Sequence, residues 1–230
     1  MEHFSWWTLM GPEIARYDHI IGLGVVVAFL TVVGLGFRRS VRADTSPLPS
    51  EKVSFRNFVE LIGIDFLFGM LTNILGSREK AQHYFPLLAG SFFFILFCNL
   101  LGIVPGFLPP TGTLNTTLAF GVLIFIMYNF YGFRAHGGGY VRQFLGPVAF
   151  LAPLMLIIEL VSHVVRPVSL SLRLFMNITG DHMVMGVFMN LTHFFIPALF
   201  IALGIFVSFL QAFIFTVLSA IYIGLAESHH

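Results

Sequence analysis

The chain has 230 residues, of which 57% are hydrophobic and only 10% charged, for a net charge of +1. Soluble domains carry about 25% charged residues, so this deficit excludes an ordinary water-soluble enzyme and points to an integral membrane protein. The net charge of +1 says nothing about nucleic acid, but no basic patch interleaved with aromatics occurs, so no nucleic-acid partner is expected, and the single Cys98 excludes an intrachain disulfide.

The N-terminal stretch 1–19 has neither the basic start and cleavage site of a secretory signal nor the Arg- and Ser-rich pattern of a transit peptide. About 20 apolar residues are needed to cross a hydrocarbon core. Residues 20–37 supply the first such span, 85–104 the second and 114–133 the third. The intervening "PGFLPPTGT" is an uncharged Pro/Gly turn. Within the loop 38–84, residues 53–75 are apolar but broken by Arg56, Glu60 and Asp65, which predicts an amphipathic helix lying at the interface. From 144 onward the charges are confined to Glu159, Arg166, Arg173 and Asp181, until Glu227. The uncharged piece 183–226 would be roughly 66 Å long as a helix, more than one perpendicular crossing. The expectation is a pair of long, tilted helices over 144–190 and 195–226, joined near "NLTHFFIP", with Pro197 opening the second. The fold class is therefore an all-α polytopic membrane protein of about five crossings, forming a single membrane domain.

Orientation follows from the basic residues. Arg38, Arg39, Arg42, Lys52, Arg56, Arg78 and Lys80 fall in the first loop, and Arg134 and Arg142 after the third span. Both loops are expected in the cytoplasm, which places the N-terminus outside and the C-terminus inside.

Ionisable residues at membrane depth cost roughly 2.5–3.5 kcal/mol each on insertion scales and default to a functional reading. Here they share a phase. Glu159, Ser162, His163, Arg166, Ser169, Arg173, Asn177 and Asp181 fall within roughly 120° of one another on a helical projection, while His182 lies on the flank. Such a stripe must face protein or water. A purely structural account would pair Glu159 with Arg166 and Arg173 with Asp181, and would bond the serines back to carbonyls. Arg173 fits it least well, having no acid three or four residues away. In the last helix the internal polar residue is Gln211, for which an interhelical hydrogen bond is the simplest role.

The segments "PVSLSLRLFMNITGDHMV" and "LQAFIFTVLSAIYIGLA" resemble subunit a of F-type ATP synthases. The S-L-x-L-R-L-F-x-N core, the glutamate fourteen residues before its arginine and the Q-A-F-I-F-x-x-L motif carry the resemblance, with weaker support from "NLLGIVPG" and "LNTTLAF". It extends from about Glu51 onward. It implies a stator with no catalytic site or cofactor of its own. The partners it implies are a rotating ring of c subunits, peripheral-stalk b subunits, the remaining synthase subunits and lipid. A bacterial inner membrane is expected because the chain shows no transit-peptide pattern, which an organelle-encoded chain would also lack. By residue match Arg173 would face the ring's carboxylates and separate two aqueous half-channels. Glu159 would lie on the ion pathway, Asn177 beside the arginine, and Gln211 would be its partner on the last helix. The remaining polar residues of the stripe, Ser162, His163, Ser169, Asp181 and His182, would line or relay.

One departure matters. The family usually reads N-x-x-A-G followed by Glu or His, where this chain has "NITGDH". Gly204 stands where many members carry a titratable partner, so Asp181 is the candidate replacement acid. Two other classes fit less well. A self-contained channel or transporter would need a complete pore within one chain, and there is no internal repeat. An intramembrane hydrolase would need an H-E-x-x-H or G-x-S-x-G motif, and neither occurs. His163, His182 and His193 do not form a metal-ligand spacing on one helix face.

Overall fold

A computed structural model describes residues 17–43, 61–104, 106–137, 152–191 and 195–227. Among these residues every regular element is helical. Five helices are long and apolar enough to cross a membrane, accompanied by one shorter apolar helix, so the expected all-α membrane class holds. The N-terminal segment 1–16, the first half of the expected interfacial helix (53–60), residues 144–151 and the link 192–194 with His193 lie outside the described residues.

The elements in chain order are α1 (Asp18–Ala43), a π-helical stretch (Leu61–Phe68), α2 (Gly69–Leu75), α3 (Arg78–Leu101), a 3₁₀ turn (Pro110–Gly112), α4 (Leu114–His136), α5 (Ala152–Leu191) and α6 (Phe195–Glu227). The helices run past the apolar windows because hydropathy registers only their lipid-compatible part. In α3 the polar Arg78, Glu79 and Lys80 form the first turn, and the helix continues through Pro86. α2 stops at Gly76, whose left-handed φ of 68° lets its N–H reach the Thr72 carbonyl. With 40 and 33 residues, α5 and α6 would be about 60 and 50 Å long. Both exceed a hydrocarbon core of about 30 Å, so each must tilt or protrude.

The chain divides into two compact units. One comprises residues 1–110 with 208–217. Here α1 and α2 pack on α3. Phe29 meets Phe97 edge-on at 5.0 Å, and Phe66 and Phe92 lie against Phe209 of α6 at 6.2 and 5.7 Å. The other comprises 111–207 with 218–230 and is built on α4 running along α5. Each of the two helices turns a buried seam toward its neighbour. On α4 the seam is Thr117, Gly121, Ile124, Tyr128 and Gly132; on α5 it is Pro167, Leu170, Ser171, Leu174 and Ile178, with His163 at its near end. The 3- and 4-residue steps are those of one helix face. Gly121 lies against Pro167 and Ser171, while Tyr128 lies against His163, so the two helices run antiparallel.

Candidate functional site

The polar stripe of α5 borders this seam. Leu160, Val161, Val164, Val165, Val168 and Leu172 are exposed on the other side of the helix, as lipid- or partner-facing residues would be. Glu159, Ser162, Arg166, Ser169, Arg173 and Asp181 are half-buried, and so is His182 on the flank. Asn177 is exposed and His163 is buried. The helix passes through Pro167, which has no N–H for the carbonyl of His163. Membrane helices tolerate such a proline because neighbouring groups re-satisfy the backbone. The Pro167 carbonyl in turn accepts from Ser171 Oγ at 2.7 Å.

At one end of the stripe Arg166 donates to Glu159 at 3.5 Å, so the first pair of the structural account forms. This pair is long, with the Glu159 side chain 43% exposed, and contributes little to holding the helix. The guanidinium also lies 5.4 Å from the ring centroid of Tyr222 in α6, a cation–π contact. Tyr222 is 6.1 Å from Tyr128 of α4. One turn back, His163 Nε2 is 2.8 Å from Asn129 Oδ1, and its ring meets those of Phe125 and Tyr128 edge-on, each at 5.2 Å. Asn129 and Tyr128 were not singled out from the sequence. The available signal was an amide, Asn129, deep in the third apolar span, whose other amide, Asn115, stands at its start.

The second pair of the purely structural account does not form. Among the described residues Arg173 makes no hydrogen bond or ion pair with Asp181 or with any other group. A permanent guanidinium thus sits half-buried in the apolar α5 helix. Gln211 is 2% exposed in the middle of α6, and Thr216 in the same helix bonds back to the Ala212 carbonyl at 2.9 Å. Among the described residues no group of three His, Cys, Asp or Glu side chains could hold a metal ion. The arrangement offers charge and hydrogen bonding along one face of a helix.

Comparison with known proteins gives a consistent answer. The family model described as ATP synthase A chain matches residues 20–224. The chain is 43% identical over 226 residues to ATP synthase subunit a of Bdellovibrio bacteriovorus, covering 97% of each sequence. It is 42% identical over 221 residues to ATP synthase subunit a of Citrifermentans bemidjiense, covering 96% of this chain and 90% of that one. To ATP synthase subunit a of Geobacter sulfurreducens it is 42% identical over 217 residues, covering 94% and 90%.

Proposed function

Since the chain belongs to the ATP synthase A chain family, we propose that it is the stator ion channel of a rotary F-type ATP synthase. In this reading it sits in a bacterial inner membrane with its N-terminus outside and its C-terminus in the cytoplasm. It works against a ring of c subunits and is held by peripheral-stalk b subunits. Protons enter one aqueous half-channel, load a ring carboxylate and leave by the other half-channel after the ring has turned.

The observation that carries the reading is Arg173. Arg keeps its charge in any environment, whereas a buried Lys can lose its proton. A guanidinium favours the ionised form of a carboxylate brought within about 4–6 Å. A ring carboxylate passing Arg173 therefore gives up its proton, and a protonated site cannot slip across without rotation. One charge crossing 100 mV supplies about 2.3 kcal/mol, which drives the turn. Glu159, Ser162, Ser169, Asn177, Asp181, His182 and Gln211 are assigned to the ion's route as water-holding or proton-exchanging groups. Asp181 is assigned the acidic role, because Gly204 cannot titrate.

The test is Arg173→Ala in the assembled complex. Coupled ATP synthesis is expected to fall to background while the membrane becomes leaky to protons through the complex. Retained coupled synthesis would overturn the assignment.

A further inference from the structure

His163 is the member of the polar stripe that also belongs to the buried seam between α4 and α5. Its hydrogen bond fixes its chemistry. Asn129 Nδ2 donates to the Phe125 carbonyl at 2.7 Å, which turns Oδ1 toward the imidazole at 2.8 Å. An amide oxygen only accepts, so the hydrogen must be on His163 Nε2. The Phe125 and Tyr128 rings close on the imidazole. The other ring nitrogen, Nδ1, is buried as well. Among the described residues Arg166 and Glu159 of its own helix act on this ring electrostatically, and the uncharged Tyr128 of α4 lies against it. Arg166 in turn rests on Tyr222 of α6.

We infer that His163 does not carry the translocated ion but is a positioning residue, anchored by Asn129, that fixes the rotation of α5 about its own axis. A relay must pass a proton onward, and an amide oxygen cannot take one from Nε2 and hand it on. The close approach at Gly121 sets how near α4 and α5 lie, but contact between small groups barely resists rotation or sliding. The directional Nε2–H···Oδ1 bond supplies that resistance. One helical turn along, Arg166 and Glu159 are held at their angle by the same constraint, and through them the direction of the whole stripe. The inference rests on the reading of this chain as the stator channel and assigns His163 a place within it.

The test uses the assembled complex and measures protons pumped per ATP hydrolysed, the pH profile of pumping and the amount of this subunit retained. His163→Gln keeps an N–H donor near the Nε2 position but cannot titrate. It is expected to keep at least half of the pumping with the pH profile in place. His163→Leu and Asn129→Leu are each expected to lower pumping per ATP several-fold with the subunit retained. The double leucine variant should be no worse than the poorer single one. Loss of pumping or a displaced pH profile in an assembled His163→Gln complex would overturn the inference, and so would normal pumping in Asn129→Leu. If a leucine variant does not assemble, the His163→Gln result alone decides. Arg173→Ala in the same preparation separates the two readings, because retained coupling there would defeat the channel reading whatever the His163 variants do.

Discussion

Gly121→Ala is the smallest substitution that tests whether α4 and α5 touch where the seams place them. A Cβ built on Gly121 would lie 2.6 Å from the Pro167 carbonyl oxygen and would also overlap Ser171 Oγ. The serine hydroxyl can rotate away, though it would then lose its 2.7 Å bond to the same carbonyl. The carbonyl itself belongs to the backbone of α5 and cannot yield locally. Restoring ordinary contact near 3.4 Å requires the helices to separate by about 0.8 Å. A gap of 0.5–1 Å forfeits roughly a quarter to a half of each contact it opens. Overpacking of this kind typically costs about 1–3 kcal/mol. Gly90 of α3 is the control, since nothing lies within 4 Å of its added Cβ. Alanine there should be neutral or stabilise by up to about 1 kcal/mol through helix propensity. Denaturant or thermal unfolding of the detergent-solubilised chain would compare the two variants. If Gly121→Ala matched Gly90→Ala in stability, the close approach of α4 to Pro167 would be refuted, and the seam with it.

Two further substitutions address the site. Tyr222→Leu removes the ring beneath Arg166 at 5.4 Å and is expected to cost about 0.5–2 kcal/mol of unfolding stability. Tyr222→Phe keeps the ring and should stay within about 0.5 kcal/mol of the parent; equal losses in both variants would mean that the hydroxyl matters and the ring does not. For the acidic role, Asp181→Asn in the assembled complex is expected to lower ATP-driven proton pumping about tenfold, equivalent to about 1.4 kcal/mol. His182→Ala should lower it less. Unchanged pumping in Asp181→Asn, with its loss in His182→Ala, would transfer the relay to the histidine.

The membrane helices were legible because length and hydropathy are what a bilayer selects for, and neither requires knowledge of neighbours. The facing of those helices was not legible by the same means. In water, a buried face stands out by its contrast with polar positions. In α4 both the buried Ile124 and Tyr128 and the exposed Ile126 and Phe130 are apolar, so the seam carries no contrast. Its signature is size, with Gly121 and Gly132 among the buried residues, as expected where helix association relies on close packing rather than on exclusion from water. The π-helical winding of Leu61–Phe68 left no readable trace in the sequence. Nor did the Asn129–His163 bond, which joins residues 34 apart on different helices.

The stripe was legible because ionisable groups are expensive in lipid and their spacing along one helix is fixed by geometry alone. What spacing could not decide was whether each charge is neutralised within the chain. Arg166 and Arg173 are both half-buried, on one helix and two turns apart. The structure separates them. Arg166 is held by Glu159 and the Tyr222 ring, whereas Arg173 has no acid, amide or aromatic partner among the described residues. A guanidinium already engaged by an acid and a ring of its own chain, as Arg166 is, would have to exchange partners to bind another carboxylate. In the proposed stator role, a guanidinium left unengaged among the described residues, as Arg173 is, would be open to an arriving carboxylate and would favour its ionised form. In that role the same charge would act as a brace at Arg166 and on a moving partner at Arg173.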